Sequence, residues 1–257
     1  MNAESAEHAE QRVLCGLGGL GVQALTGRGI RIAVIDSGVH ASHPHINRIA
    51  GGVGIDARGV EGPDYVDRLG HGTAVAAAIL EKAPEADLFT VKVFDRSLAT
   101  SITSLVAAIE WAVRRNMHLV NLSLGTARPA HEAALRAAVD QASAAGVAIV
   151  SARRDDENAT AAWFPGSLPG VIGVEVDWTI PRDHYRVVDR DGQVTLCASG
   201  FPREIPGVAP QRNLHGVSFA VANSTGFAAR ACQAIAPQRS IGTLLTFLKD
   251  HAPAGAL

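Results

Sequence analysis

Residues 31–44 read RIAVIDSGVHASHP, and the order of apolar and polar residues in this segment indicates the fold class. Residues 32–35 are all apolar and mostly β-branched, which is typical of a strand buried on both faces of a parallel sheet. Asp36, Ser37 and Gly38 follow at once and predict a sharp turn. Because functional groups in open parallel sheets lie at the carboxyl ends of the strands, we expect Asp36 to lie at a functional edge.

Similar apolar runs recur along the chain, with segments of helical spacing between them. Strands are predicted at residues 30–35, 88–93, 119–122, 147–150 and 171–176, and helices at residues 74–80, 101–115, 132–144, 219–236 and 241–251. Strand followed by helix, repeated, predicts an α/β fold with a mainly parallel sheet between helices. The charged stretch 182–193 interrupts this order and, with residues 194–197, predicts a hairpin. The sequence contains no repeat or linker, so it predicts a single domain over residues 1–257.

Composition and charge exclude several classes of protein. The chain has 257 residues, 47% of them apolar, and a net charge of -2 from 23 basic and 25 acidic side chains. Such a chain can bury a large core, and its balanced charge predicts neither a nucleic-acid partner nor an anionic membrane surface. The apolar runs are also far shorter than the ~20 residues that span a bilayer.

The beginning of the chain and its cysteines bear on its compartment. The start, MNAESAEHAEQRV, lacks the basic end and apolar stretch of a secretory signal. Cys15, Cys197 and Cys232 are odd in number and far apart, which indicates neither a disulfide framework nor a zinc site. We therefore expect reduced thiols in a cytoplasmic protein.

A glycine motif near the start of the chain raises a competing hypothesis. Gly16, Gly18 and Gly21 match the dinucleotide-binding pattern G-x-G-x-x-G, and Asp36 follows at a suitable distance. That site also needs a strand before the glycines and a long helix after them. Only about one helical turn fits before Gly27, so the context favours an N-terminal turn over a nucleotide site.

Two further motifs complete a set of catalytic residue types. His71 lies in GHGTAVAAAI and Ser218 lies in HGVSFAVANSTG, each with a neighbouring glycine and a helix of small residues after it. Asp36, His71 and Ser218 thus occur in that order. A serine hydroxyl becomes a nucleophile when a histidine takes its proton, and an aspartate orients the histidine and stabilises its charged form.

With these motifs, residues 20–250 resemble the subtilisin-like serine proteases, the subtilase family. The similarity includes VNLSLG at residues 120–125 and FPGSLPGVIGVEVD at residues 164–177. It implies a three-layer fold with a seven-stranded, mainly parallel sheet, peptide-bond hydrolysis, and an N-terminal extension at residues 1–20. It also implies that Ser123, Leu124 and Gly125 pair with the substrate backbone. Trp163 then either falls at the floor of the pocket for the side chain before the cleaved bond or packs under the loop as part of the core.

One departure from the family concerns the oxyanion hole. Where the family has an asparagine whose amide donates to the oxyanion, the register places Asp155 in this sequence. Losing such a donor slows catalysis by about 10²- to 10³-fold. Three explanations stay open: burial keeps Asp155 protonated, Asn158 takes the role, or hydrolysis is inefficient. Arg153 and Arg154 disfavour the first, because positive charge favours the ionised carboxylate.

A second departure concerns metals. Many secreted members carry a calcium loop that is completed by an aspartate, but this chain has no such insertion and has His45 in place of the aspartate. We therefore expect no metal at that site and no cofactor. The acidic pairs Asp64 with Asp67 and Asp189 with Asp191 are interpreted as solvated loops.

The resemblance leaves several functions open. Asp36 comes too early for a signal peptide or prodomain to precede it within this sequence, which favours an intracellular protease that trims one dedicated precursor peptide. A catalytically impaired scaffold or binding protein is the main alternative. Acyl transfer to an amine, as in peptide cyclisation, is another, because it uses the same acyl-enzyme.

Overall fold

The computed structural model describes residues 25–154, 161–190 and 192–253. Nine strands are present in this part of the chain: β1 (Arg31–Asp36), β2 (Gly51–Ile55), β3 (Glu61–Gly62), β4 (Asp87–Lys92), β5 (Leu119–Leu122), β6 (Ala148–Ala152), β7 (Val171–Val176), β8 (Tyr185–Arg190) and β9 (Gln193–Ala198). The α-helices are α1 (His71–Lys82), α2 (Ile102–Arg114), α3 (Glu132–Ala144), α4 (Val217–Ala234) and α5 (Ile241–Asp250), and short 3₁₀ turns occur at Pro129–His131 and Pro210–Arg212.

All nine strands form one sheet in the order β3-β2-β4-β1-β5-β6-β7-β9-β8. Seven of them, β2, β4, β1, β5, β6, β7 and β9, run parallel. The edge strands β3 and β8 are antiparallel to their neighbours. The α/β class is confirmed, and the sheet is two strands wider than the seven that the resemblance implied, because each edge gains an antiparallel strand.

The central strand β1 has apolar side chains on both faces. Ile32 and Val34 point into a core shared with α1, α4 and α5. Ala33 and Ile35 point into a second core, shared with α2 and α3. This alternation explains why residues 32–35 are apolar without interruption. The strand order places the carboxyl end of β1 near the middle of the sheet edge.

Element boundaries follow local signals. The side chain of Ser101 accepts a hydrogen bond of 3.0 Å from Ser104 N and caps α2. Asn116 and Gly146 adopt the left-handed conformation just after α2 and α3, as is common where helices end. The predicted hairpin is present as β8 and β9.

Two of the three cysteines lie within the described residues. Cys197 and Cys232 are buried free thiols, and burial raises the pKa of Cys232 to about 12. Cys15 and the glycine motif that begins at Gly16 lie outside the described residues. Among the helices of the described ranges, none combines the length and the apolar character that a membrane crossing requires.

Candidate active site

Three elements bring the predicted catalytic side chains to the carboxyl edge of the sheet. Asp36 is the last residue of β1, His71 is the first residue of α1, and Ser218 is the second residue of α4. The phenyl ring of Phe219 packs beside the imidazole of His71, with ring centroids 5.7 Å apart. The sequence motifs thus meet at one site although they are distant in the chain.

The aspartate and the histidine form a pair in which the aspartate is buried and the histidine is partly exposed. Asp36 is fully buried, and its Oδ1 lies 2.8 Å from Nδ1 of His71 and accepts a second hydrogen bond of 2.7 Å from Ser37 N. Oδ2 of Asp36 is also buried and accepts no hydrogen bond from the described residues. Because a carboxylate oxygen only accepts, Nδ1 carries the proton, which leaves the Nε2 lone pair of His71 free to act as a base.

The surroundings of His71 favour its charged form. Burial by itself would lower the pKa of His71, but the hydrogen bond and negative charge of Asp36, with the charge of Asp67, outweigh burial and raise it. The imidazolium that forms when His71 accepts a proton is therefore stabilised in place.

The glycines around His71 serve two different purposes. Gly70 has a φ of 81°, a conformation that favours glycine, and a Cβ there would meet nothing within 4 Å. A Cβ on Gly72, by contrast, would lie 2.2 Å from the carbonyl oxygen of Gly38. Gly70 therefore allows a backbone conformation, whereas Gly72 leaves space for the turn after β1.

Asp67 differs most from its predicted role. It is only 7% exposed, and its carboxylate accepts hydrogen bonds from Ser37, Leu69, Gly70 and Thr73. The prediction of a solvated loop is therefore wrong for Asp67. The exposed neighbour Asp64 pairs with the exposed Arg68 and with the buried Lys92.

A buried chain of hydrogen bonds holds the strand before the predicted substrate segment against the helix of Ser218. Thr225 Oγ1 donates to Asn121 Oδ1 at 2.9 Å, and Asn121 Nδ2 donates to Ser123 Oγ at 2.9 Å. Ser123 Oγ in turn donates to the Ser218 carbonyl at 3.3 Å. Sequence analysis missed Asn121 and Thr225, although a polar side chain within the apolar strand LVNL is a usable signal for a buried partner.

The hydroxyl of Ser218 points toward the predicted substrate segment. Ser218 Oγ donates to the carbonyl oxygen of Ser123 at 3.3 Å. Within the described ranges, Ser218 makes no hydrogen bond to His71, so proton transfer requires rotation of the serine side chain. In enzymes without substrate such catalytic contacts are often open.

The predicted substrate-binding residues lie together. Ser123, Leu124 and Gly125 follow β5, and Thr126 then pairs with Phe164 in a short antiparallel bridge. A Cβ on Gly125 would lie 2.2 Å from Nε1 of Trp163, so the indole packs directly against this backbone. Trp163 thus borders the segment that the resemblance assigns to substrate.

The predicted oxyanion residue falls where the structure gives no placement. Asp155 and Asn158 lie outside the described residues. The preceding Arg153 and Arg154 extend toward Glu175, with Arg154 Nε 3.1 Å from its Oε1. The other donor of the family arrangement, the Ser218 amide, lies in the first turn of α4, where backbone N–H groups have no partner within the helix.

Within the described parts of the chain, no three His, Cys, Asp or Glu residues are grouped to hold a metal ion. His45 belongs to an exposed turn beside His43, with ring centroids 5.2 Å apart.

Comparisons with known proteins agree with this geometry. Residues 27–180 match the subtilase family. The chain is 36% identical over 202 residues to a thermostable alkaline protease of Halalkalibacterium halodurans, covering 75% of this chain and 50% of that protein. It is 30% identical over 220 residues to subtilisin E of Bacillus subtilis, covering 80% and 54%. The chain therefore spans about half the length of these relatives.

A solved structure gives the same fold. A cold adapted subtilisin-like serine proteinase aligns with a TM-score of 0.68 at 23% identity, covering 88% of this chain and 83% of that one. The sheet order, the Asp36–His71 pair at its edge and the match to residues 27–180 lead to one conclusion: this chain belongs to the subtilase family.

Proposed function

We propose that this protein is a serine endopeptidase that hydrolyses peptide bonds with Ser218 as nucleophile, His71 as general base and Asp36 as the group that orients it. The observation that carries the proposal is the buried 2.8 Å contact between Asp36 and His71 beside the helix that bears Ser218. That arrangement leaves Nε2 of His71 as the free base at the sheet edge where the serine lies.

The chemistry follows from the residue types. Rotation of Ser218 away from the Ser123 carbonyl brings its hydroxyl toward His71, which takes the proton as the oxygen attacks the substrate carbonyl. His71 then protonates the leaving amine, and a water molecule attacks the acyl-enzyme by the same route. The carboxylate of Asp36 stabilises the imidazolium in both halves of the reaction.

The pH dependence has a definite sign. Only neutral His71 accepts the serine proton, and its pKa is raised, so activity falls on acidification at a pH above the ordinary value of ~6.5. At alkaline pH the neutral form dominates and this limit disappears.

In this proposal the oxyanion accepts hydrogen bonds from two donors of different origin. The Ser218 amide and the dipole of α4 supply one donor. The second comes from the segment after Arg154, with Asp155 the position indicated by the sequence register and Asn158 the alternative. An ionised Asp155 would repel the oxyanion and make the enzyme slow.

The packing of Trp163 supports a preference for small side chains. Its indole lies against Gly125, where the family pocket for the residue before the cleaved bond is expected. We therefore propose that the enzyme prefers substrates with Ala, Ser or Gly before the scissile bond. We also propose that the protein trims a dedicated precursor peptide in the cytoplasm. Fractionation of the source cells tests this location.

A second candidate has one specific observation in its favour. The hydroxyl of Ser218 donates to Ser123 rather than to His71, which suits a scaffold or binding protein with little turnover. Acyl transfer to an amine uses the same acyl-enzyme as hydrolysis and is separated from it only by analysis of the products.

Labelling with a fluorophosphonate decides between protease and scaffold, because it reports a working serine and histidine whatever the substrate. The parent should label and cleave peptides, and Ser218→Ala should do neither. A parent that labels no faster than Ser218→Ala refutes the proposed activity. Adding an amine nucleophile to the peptide assay distinguishes hydrolysis from transfer.

A further inference from the structure

We propose that Asp67 is a positioning residue for the general base, because its buried carboxylate ties the start of α1, which carries His71, to the end of β1, which carries Asp36. This inference rests on the proposed function of the same site. Asp67 lies in the loop just before α1, and it belongs to none of the three catalytic motifs.

The contacts of Asp67 connect two elements. Its Oδ1 accepts hydrogen bonds of 2.9 Å from Ser37 Oγ, Leu69 N and Gly70 N. Its Oδ2 accepts bonds of 2.9 Å from Thr73 N and 2.6 Å from Thr73 Oγ1. Ser37 directly follows Asp36, and Gly70 directly precedes His71, so one carboxylate holds the neighbours of both.

Asp67 also replaces the usual cap of the helix. The N-cap residue of α1 is Gly70, which has no side chain to accept from the first turn, and the first turn contains no acidic residue. Asp67 accepts from Gly70 and Thr73 instead, which satisfies backbone donors at this helix start. A second link comes from Ser37 Oγ, which accepts from Gly72 N at 2.9 Å.

The charge of Asp67 is uncompensated within the described residues. Asp67 is 7% exposed and forms no ion pair with them, while the adjacent Arg68 pairs with Asp64 and Asp95. Burial alone would raise the pKa of Asp67, but the hydrogen bonds from Thr73, Leu69 and Ser37 outweigh burial and lower it. The carboxylate is therefore ionised at neutral pH.

Among the described residues, the negative charges of Asp36 and Asp67 raise the pKa of His71. Asp36 contacts it from the end of β1, and Asp67 acts from the loop before α1. The α4 residues that approach, Ser218 and Phe219, carry no charge. Asp67 therefore helps to stabilise the imidazolium as well as fixing its position.

The test compares Asp67→Asn with Asp64→Asn, the same substitution at an exposed carboxylate of the same loop. Asparagine keeps the shape but loses the charge, and because its NH2 group only donates, it cannot accept at both positions where Asp67 has an oxygen. We expect the His71 titration, followed by NMR of the imidazole, to move to lower pH by roughly half a unit to one unit in Asp67→Asn only. The acid limb of fluorophosphonate labelling should move equally, and the maximal labelling rate should fall about tenfold.

The outcomes separate this inference from the proposed function. If the parent never labels, the protease proposal fails, while the NMR titration still tests Asp67. A His71 titration and labelling rate in Asp67→Asn that match Asp64→Asn overturn the positioning role. If Asp67→Asn does not fold, Ser37→Ala provides the test, because it keeps the charge of Asp67 but removes both links made by Ser37 Oγ. Labelling should then fall several-fold while circular dichroism is unchanged, and a parent-like labelling rate overturns the inference.

Discussion

Gly72→Ala is the substitution whose effect follows most directly from the geometry of the site. A Cβ at residue 72 would lie 2.2 Å from the carbonyl oxygen of Gly38, whereas real Cβ atoms essentially never approach within 3.0 Å. Both sides of this contact are backbone, so no side chain can rotate away. The start of α1 must therefore retreat from the turn after β1 by at least ~0.8 Å.

That displacement acts on the catalytic pair. His71 lies one residue before Gly72, and its Nδ1 is 2.8 Å from Asp36 Oδ1. A retreat of ~0.8 Å along the line from Asp36 Oδ1 to His71 Nδ1 lengthens the distance between these two atoms to ~3.6 Å, which is too long for a hydrogen bond. Misplacement by about 1 Å costs up to ~10²-fold in rate, so we expect fluorophosphonate labelling to slow by about 10- to 10²-fold. Overpacking of ~1 to 3 kcal/mol should also lower the Tm by about 2 to 12 °C.

Gly242→Ala is a matched control. Gly242, like Gly72, is the second residue of a helix, but the nearest atom to its added Cβ is Ser240 Oγ at 3.8 Å. This variant should label at the parent rate and have an equal or higher Tm, because alanine is favoured over glycine in a helix by ~0.5 to 1 kcal/mol. The reasoning is refuted if Gly72→Ala labels within about twofold of the parent and melts no lower than Gly242→Ala.

Other changes have expected outcomes of their own. Trp163→Gly should extend cleavage from small residues to Phe or Leu before the bond, by about 10- to 200-fold in kcat/KM over a peptide library, and a parent that already prefers Phe would contradict this. Asp155→Asn should raise labelling at neutral pH by up to ~10²- to 10³-fold, whereas no gain would mean that another residue donates. Asn121→Ala should lower the free energy of unfolding by ~1 to 3 kcal/mol and couple non-additively to Thr225→Val, and additive effects would disprove the buried chain. Because the pKa of Asp67 is lowered by folding, its stabilisation is complete above the unfolded value of ~3.9 and is lost as pH falls through the folded value. Asp67→Asn should lack this acid-dependent part of the Tm, and parallel melting curves at pH 3 to 7 in both proteins would count against it.

Strands with strong apolar signals were predictable, while the strand next to the edge was not. Residues 32–35 predicted β1 because both faces of a central strand are buried. The sequence of β2, GGVGI, contains three glycines and gives no such signal. A Cβ on Gly52 or Gly54 would collide with Thr90 or the Asp64 carbonyl, so close backbone approach accounts for the glycines. The glycines of β2 therefore reflect a close tertiary contact, which strand propensity alone does not predict.

The site was predictable to the extent that its residues carry recognisable chemistry. Asp36, His71 and Ser218 stand beside glycines at predicted strand and helix ends, so their elements could be assigned. Asp67 could not be told from a solvated acid, because its burial depends on Ser37 and Thr73, which come from different elements. Single-sequence patterns describe one element at a time, whereas a buried polar group is defined by the elements that meet around it.

The contacts at Gly72 and Asp67 together explain how the packing of α1 sets the positions of Asp36 and His71 at this edge. Gly72 allows α1 to approach the turn after β1, and Asp67 holds it there through Ser37. The 2.8 Å contact between Asp36 and His71 exists only while that approach is maintained, because the two residues belong to different elements. The hydroxyl of Ser218, by contrast, is set by one rotatable bond on α4. The position of the Asp–His pair therefore depends on the packing of two elements, whereas the position of the serine hydroxyl depends on one side-chain rotamer and its bond to Ser123.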